Sequence, residues 1–91
     1  MVRLRTPWGL YILSNVVRAD VYWAKEGSQY LVFLTLDGYK HVLQRFENEN
    51  DCSFFCVLMR GAIFGLFDNS PDRERQYELN DLCKSALHEL L

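Results

Sequence analysis

Hydrophobic and polar positions alternate along part of the first half of the chain and change to a three-and-four spacing in the second. Within residues 16–23, Val17, Ala19, Val21 and Trp23 fall on one side, with Arg18, Asp20 and Tyr22 on the other. That period of two predicts a half-buried strand. Residues 29–36 are apolar on both faces, which predicts a central strand. Residues 39–46 place Lys40, Val42, Gln44 and Phe46 on one face and Tyr39, His41, Leu43 and Arg45 on the other, a polar share that fits an outer strand. Asp37-Gly38 lies between these two runs, and both residues tolerate positive φ, so a two-residue hairpin is predicted there. Lys25-Glu26-Gly27-Ser28 is turn chemistry. Thr6-Pro7-Trp8-Gly9 reads as a turn or an entry to a short apolar strand over residues 10–13.

From about residue 50 the spacing is helical. Cys52, Phe55, Cys56, Met59 and Ile63 form one stripe, widened by Leu58, Ala62 and Leu66. Asn48 or Asn50 can cap this helix, and Glu47, Glu49 and Asp51 place negative charge where a helix start favours it. Gly65 is positioned to help end it. Ser70 followed by Pro71 predicts the start of a second helix running to the C-terminus. Its stripe is Leu79, Leu82, Cys83, Ala86, Leu87 and Leu90, and residues 72–76 are polar all round. The expected architecture is α+β: an antiparallel β-meander of three to four strands followed by two α-helices packed on one face, in the order β-β-β-β-α-α.

Length makes this a single domain over residues 1–91, large enough for a modest core. Aromatic residues are 14% of the chain, more rings than one thin core is expected to hide. Net charge is −2, and the acidity lies in the helical half, with four basic and seven acidic side chains over residues 51–91. No basic excess advertises a polyanion partner. No targeting segment or membrane span is read from the sequence, and three cysteines are an odd number for a disulfide framework, so a cytoplasmic location is expected.

Candidate chemistry is sparse. Cys52 and Cys56 lie four apart, and His41 and His88 could add ligands. The cysteines share a stripe with Phe55 and Met59, however, where a thiol behaves as a small hydrophobe. No metal, no cofactor and no catalytic residue is expected. Glu47, Glu49 and Asp51 are clustered acids with a structural use at the helix start. Gly61 and Gly65 make a G-x-x-x-G spacing within the helical pattern, which permits close helix packing. The expectation is a chain that is not an enzyme.

Two binding readings remain. Arg3 and Arg5 lie near Trp8 and Tyr11, and Arg18, Tyr22, Tyr39, His41 and Arg45 are expected to share a sheet face. Such a face could stack and ion-pair with RNA or single-stranded DNA. The preferred reading is protein–protein interaction, because Trp, Tyr and Arg are the residues enriched at binding hot spots. The candidate residues are Trp8, Tyr11, Arg18, Tyr22, Tyr39 and Arg45, with the acidic group Glu47, Glu49 and Asp51. The partner is another protein or a second copy in a homodimer. A compact chain without an attached catalytic domain fits an inhibitor of the phage or mobile-element type that modulates a host protein. Glu47, Glu49, Asp51, Asp72 and Glu74 could then cover a partner's nucleic-acid-binding surface.

Overall fold

The structure is a computed structural model and describes residues 2–13, 19–67 and 74–91. In chain order the elements are β1 (Val2–Thr6), β2 (Gly9–Leu13), β3 (Ala19–Glu26), β4 (Gln29–Leu36), β5 (Tyr39–Phe46), α1 (Glu49–Phe67), β6 (Arg75–Glu78) and α2 (Leu79–Glu89). The strands form two sheets rather than one. β3-β4-β5 is an antiparallel meander, and β2-β1-β6 is a mixed sheet in which β1 pairs antiparallel with β2 and parallel with β6.

In the meander, β4 is the central strand and β5 an outer one, as its apolar and polar patterns imply. Asp37 and Gly38 both take positive φ, at 50° and 87°, the backbone demanded by a two-residue hairpin turn of this hand. Val21, Val32, Leu34 and Leu36 point from this sheet into the core, where α1 lays Cys52, Phe55, Cys56, Met59, Ile63 and Leu66 against them. Phe46 meets Phe55 with ring centroids 5.3 Å apart, which fixes the first turns of α1 over the end of β5. Asn48 is the residue that caps α1. Its side-chain oxygen accepts from the backbone N–H of Asn50 at 2.8 Å and of Asp51 at 3.3 Å. The helix continues past Gly65 to Phe67, so that glycine does not end it.

β1 and β6 have no counterpart in the predicted order. β1 alternates Val2, Leu4 and Thr6 inward with Arg3 and Arg5 outward, a clean period of two on five residues. β6 falls in the segment assigned to the second helix, which begins only at Leu79. Tyr77 lies beside Leu4 in the parallel register and packs on the core. Pairing to β1 satisfies the backbone of this polar stretch, which offers an isolated helix little burial. The predicted cap Ser70-Pro71 lies outside the described residues. α2 then buries Leu79 and Ala86, with Leu82, Cys83, Leu87 and Leu90 packed at the edge of the same core. Both sheets and both helices contribute to that core.

Two side chains close open ends of the sheets. Thr6, the buried polar residue at the end of β1, donates its hydroxyl proton to the Gly9 carbonyl at 2.9 Å and accepts from the Trp8 N–H at 3.1 Å. It therefore holds the β1–β2 turn from inside. Arg60, on α1, donates from Nε and Nη2 to the Val21 carbonyl at 3.0 and 2.8 Å. β3 is an edge strand, and this side chain takes one of the backbone acceptors an edge leaves open.

Candidate protein-interaction surfaces

The register of β5 decides which rings stand together. Phe33 lies opposite Val42, but Val32 lies opposite Gln44, so a β-bulge inserts one residue at Leu43. The extra residue reverses the facing of everything beyond it. Lys40, Val42 and Arg45 consequently share the outer face, while Tyr39, His41, Gln44 and Phe46 lie on the helix side. The face expected to join Arg18, Tyr22, Tyr39, His41 and Arg45 is therefore divided. Tyr22 and Arg45 are on the outer face, and Tyr39 and His41 are on the other. Arg18 lies outside the described residues, as does Asp72.

The outer face of the meander is not covered by a helix, yet it is largely closed. Phe33 is buried there by neighbours on its own sheet. Tyr22 tilts against it at 5.3 Å between centroids, and the Lys40 ammonium lies 4.0 Å from its ring centre. Tyr22 is half-buried and Arg45 exposed. Tyr39, at the start of β5, is 69% exposed.

The β1–β2 hairpin shows a different face to solvent. In its register Leu10 lies opposite Arg5, and Ile12 opposite Arg3. Leu10 is 51% and Ile12 48% exposed. Alternation turns Tyr11 inward onto Leu4, half-buried at the edge of the core. At the tip, Trp8 is partly exposed and stacks on His41 of β5, with centroids 3.9 Å apart and planes inclined by 13°. The buried Nε2 of His41 has no hydrogen-bond partner among the described residues. Among the described residues β2 pairs only with β1, so its other edge carries open backbone donors and acceptors. Across the sheet, Arg5 meets Glu78 at 3.9 Å, an exposed pair of small energetic weight.

A second apolar surface runs along α1. Phe54, Val57 and Phe64 are exposed on the side turned away from the core, with Gly61 and Gly65 on the same stripe. Gly61 and Gly65 stand out in the sequence by their spacing, but Phe54, Val57 and Phe64 do not, because the pattern draws attention to the buried stripe. The signal was present: α1 is apolar on both sides, and its glycines fall on the outer one.

The acidic candidates sit together at one end of α1. Glu49 and Asp51 occupy its first turn and Glu47 precedes it, all three exposed. Asp51 also rims a shallow, mostly apolar groove of about 440 Å³ with Lys84, Leu87, His88, Leu90 and Leu91. A smaller groove of about 250 Å³ runs between α1 and α2.

The thiols are held in their neutral form. Burial raises Cys52, and the neighbouring Cys56 and Glu49 add to the effect. Burial also raises Cys56, against the opposing pull of the Arg60 guanidinium. Burial pushes Cys83 up to about 11. A neutral buried thiol is a poor nucleophile and a poor metal ligand. Among the described residues no group of three or more His, Cys, Asp or Glu is placed to hold a metal ion. Nor, among them, is any helix long and apolar enough to cross a membrane.

Comparison with known proteins returns no match: no family model fits the chain, and no curated protein or solved structure is similar to it.

Proposed function

We propose that this chain is a small interaction module that binds another protein through the β1–β2 hairpin and modulates or inhibits it by contact, without chemistry of its own. The observation that supports this is the outer face of β2. It is an edge strand with Leu10 and Ile12 half in water and an arginine opposite each. An extended segment of a partner can add to that edge, its backbone continuing the ladder. Every second side chain of the segment would then lie on the face that carries Leu10, Ile12, Arg3 and Arg5. The partner segment is accordingly extended, with apolar and acidic side chains alternating along that one face. An inhibitor of the phage or mobile-element type would act by occupying a segment its target needs. The acids Glu47, Glu49 and Asp51 lie at the start of α1 and have a sufficient use there.

Binding of RNA or single-stranded DNA calls for one face carrying Arg18, Tyr22, Tyr39, His41 and Arg45. With the last four divided between two faces, and Lys40 placed over Phe33, that reading has no continuous stacking surface behind it among the described residues.

The test is fluorescence anisotropy with labelled hexapeptides that carry threonine at the even positions and, at the odd positions that form one face, two valines flanking a glutamate, lysine or serine. The valine–glutamate peptide is expected to bind best, to weaken as salt rises, and to lose affinity in Leu10→Thr/Ile12→Thr, which keeps strand-forming residues at both positions. Equal binding of all three peptides, or binding indifferent to the double substitution, contradicts the proposal.

A further inference from the structure

We infer that α1 is the contact surface of a homodimer in which two copies pair antiparallel through Phe54, Val57, Gly61, Phe64 and Gly65. This does not rest on the hairpin reading, since the two surfaces share no residue.

The solvent side of α1 is the wrong composition for a solvent side. A surface helix normally presents charged residues opposite its buried stripe. Between Cys52 and Phe67 the one charged residue is Arg60, and its guanidinium is occupied by the Val21 carbonyl. Phe54, Val57 and Phe64 are instead 47%, 58% and 47% exposed. Gly61 and Gly65 face outward among them. A Cβ added at either would meet nothing within 4 Å, so their small size serves no contact among the described residues. Glycine within a helix costs about 1 kcal/mol against alanine, and two such positions on one stripe allow a second helix to approach closely.

The stripe selects its own copy as partner. It has no charge to offer an acidic or basic surface, so a matching face must also be apolar and uncharged. The other exposed aliphatic groups stand beside charge: Leu10 and Ile12 beside Arg5 and Arg3, Val42 on the face of Lys40 and Arg45, Leu91 in the groove with Asp51 and Lys84. The stripe is also uneven, with Phe54 and Val57 in its first half and Gly61 and Gly65 leaving gaps on either side of Phe64 in its second. An antiparallel two-fold pairing centred between Val57 and Gly61 brings Phe54 and Val57 of each copy over Gly65 and Gly61 of the other. That is the self-complementarity an isologous interface requires.

Area sets the class of interface. A phenylalanine side chain exposes about 200 Å² when free, so each half-exposed ring contributes about 100 Å². With Val57, the helix flanks and the glycine backbone, two copies bury about 700–1,000 Å², the size of a weak, transient interface. The dimer is accordingly expected only at high protein concentration.

Sedimentation equilibrium from about 1 μM to about 500 μM tests this. Wild type is expected to pass from monomer to dimer over that range, with no weakening when salt is raised. Gly61→Gln and Gly65→Gln are expected to unfold at the same or a higher temperature, because open space and a better helix former replace glycine. Both are expected to weaken association by about tenfold or more. Val57→Lys, on an exposed position, is expected to do the same. A chain that stays monomeric throughout, a dimer that these substitutions leave unchanged, or one that Leu10→Thr/Ile12→Thr disrupts, overturns the inference. Peptide binding at the hairpin is measured separately, so either proposal can fail while the other stands.

Discussion

Trp8 lies flat on His41, the ring centroids 3.9 Å apart and the planes within 13° of parallel. The two residues belong to different sheets: Trp8 to the turn between β1 and β2, His41 to the outer strand of the meander. Their contact ties the hairpin tip to β5 and holds an aromatic ring beside a buried imidazole nitrogen that has no hydrogen-bond partner among the described residues. A double-mutant cycle with Trp8→Ala and His41→Ala is expected to give a coupling energy of about 0.5–1.5 kcal/mol in urea unfolding. Additive losses would mean that the stack contributes nothing beyond separate packing.

The hairpin is anchored by one fully buried side chain and displays two exposed ones. Leu4→Ala removes a residue with no exposure and is expected to cost about 2–5 kcal/mol. Leu10→Ala, on the same hairpin but about half in water, is expected to stay within about 0.5 kcal/mol of wild type. Chemical denaturation measures both. Equal losses would place Leu10 in the core and remove the open face on which peptide binding depends.

Arg60 holds the edge of β3 by geometry as much as by charge. Arg60→Met keeps the apolar stem and loses both bonds to the Val21 carbonyl, at an expected cost of about 1 kcal/mol. Faster amide exchange along β3, with β5 unchanged, is the local signature to look for.

Asn48 rather than Asn50 carries the cap of α1. Asn48→Ala is expected to lower stability by about 1 kcal/mol, and Asn50→Ala to change it little. The reverse order in thermal melts would contradict the cap.

Cys83 keeps its proton well into the alkaline range because burial disfavours the thiolate, with its pKa raised from 9.0 to about 11. Alkylation of this thiol by iodoacetamide is expected to be slow at pH 8 and to accelerate steadily as pH rises toward 11. The unfolded chain gives up the same proton at lower pH. The contribution to stability is therefore full below pH 9 and is lost as pH rises through 11. A Cys83 that reacts at pH 8 as fast as a free thiol would show that the edge of α2 is open.

The meander and α1 were legible because their signals are local. The apolar run of β4, the Asp-Gly pair and the stripe from Cys52 to Ile63 each sit within a few residues of the contacts they dictate. β6 was not legible, because its strand state depends on β1, its neighbour in the sheet but more than seventy positions away in the chain. Locally it is a polar lead-in to a strongly patterned helix. β1 was passed over although Val2, Leu4 and Thr6 alternate with Arg3 and Arg5, since five residues before a proline turn make a weak case alone. The faces of β5 could not be read, because the bulge at Leu43 leaves no mark in composition and reverses every side chain beyond it. The outer stripe of α1 was hidden by the clarity of the inner one.

The most direct test of the proposed function is amide hydrogen exchange on the free chain and on the chain saturated with the valine–glutamate peptide. Slower exchange confined to β2 is expected, centred on the amides around Leu10 and Ile12, with α1 unaffected. Protection spread over α1 or the outer face of β5, with β2 exchanging as in the free chain, would contradict docking at the hairpin edge.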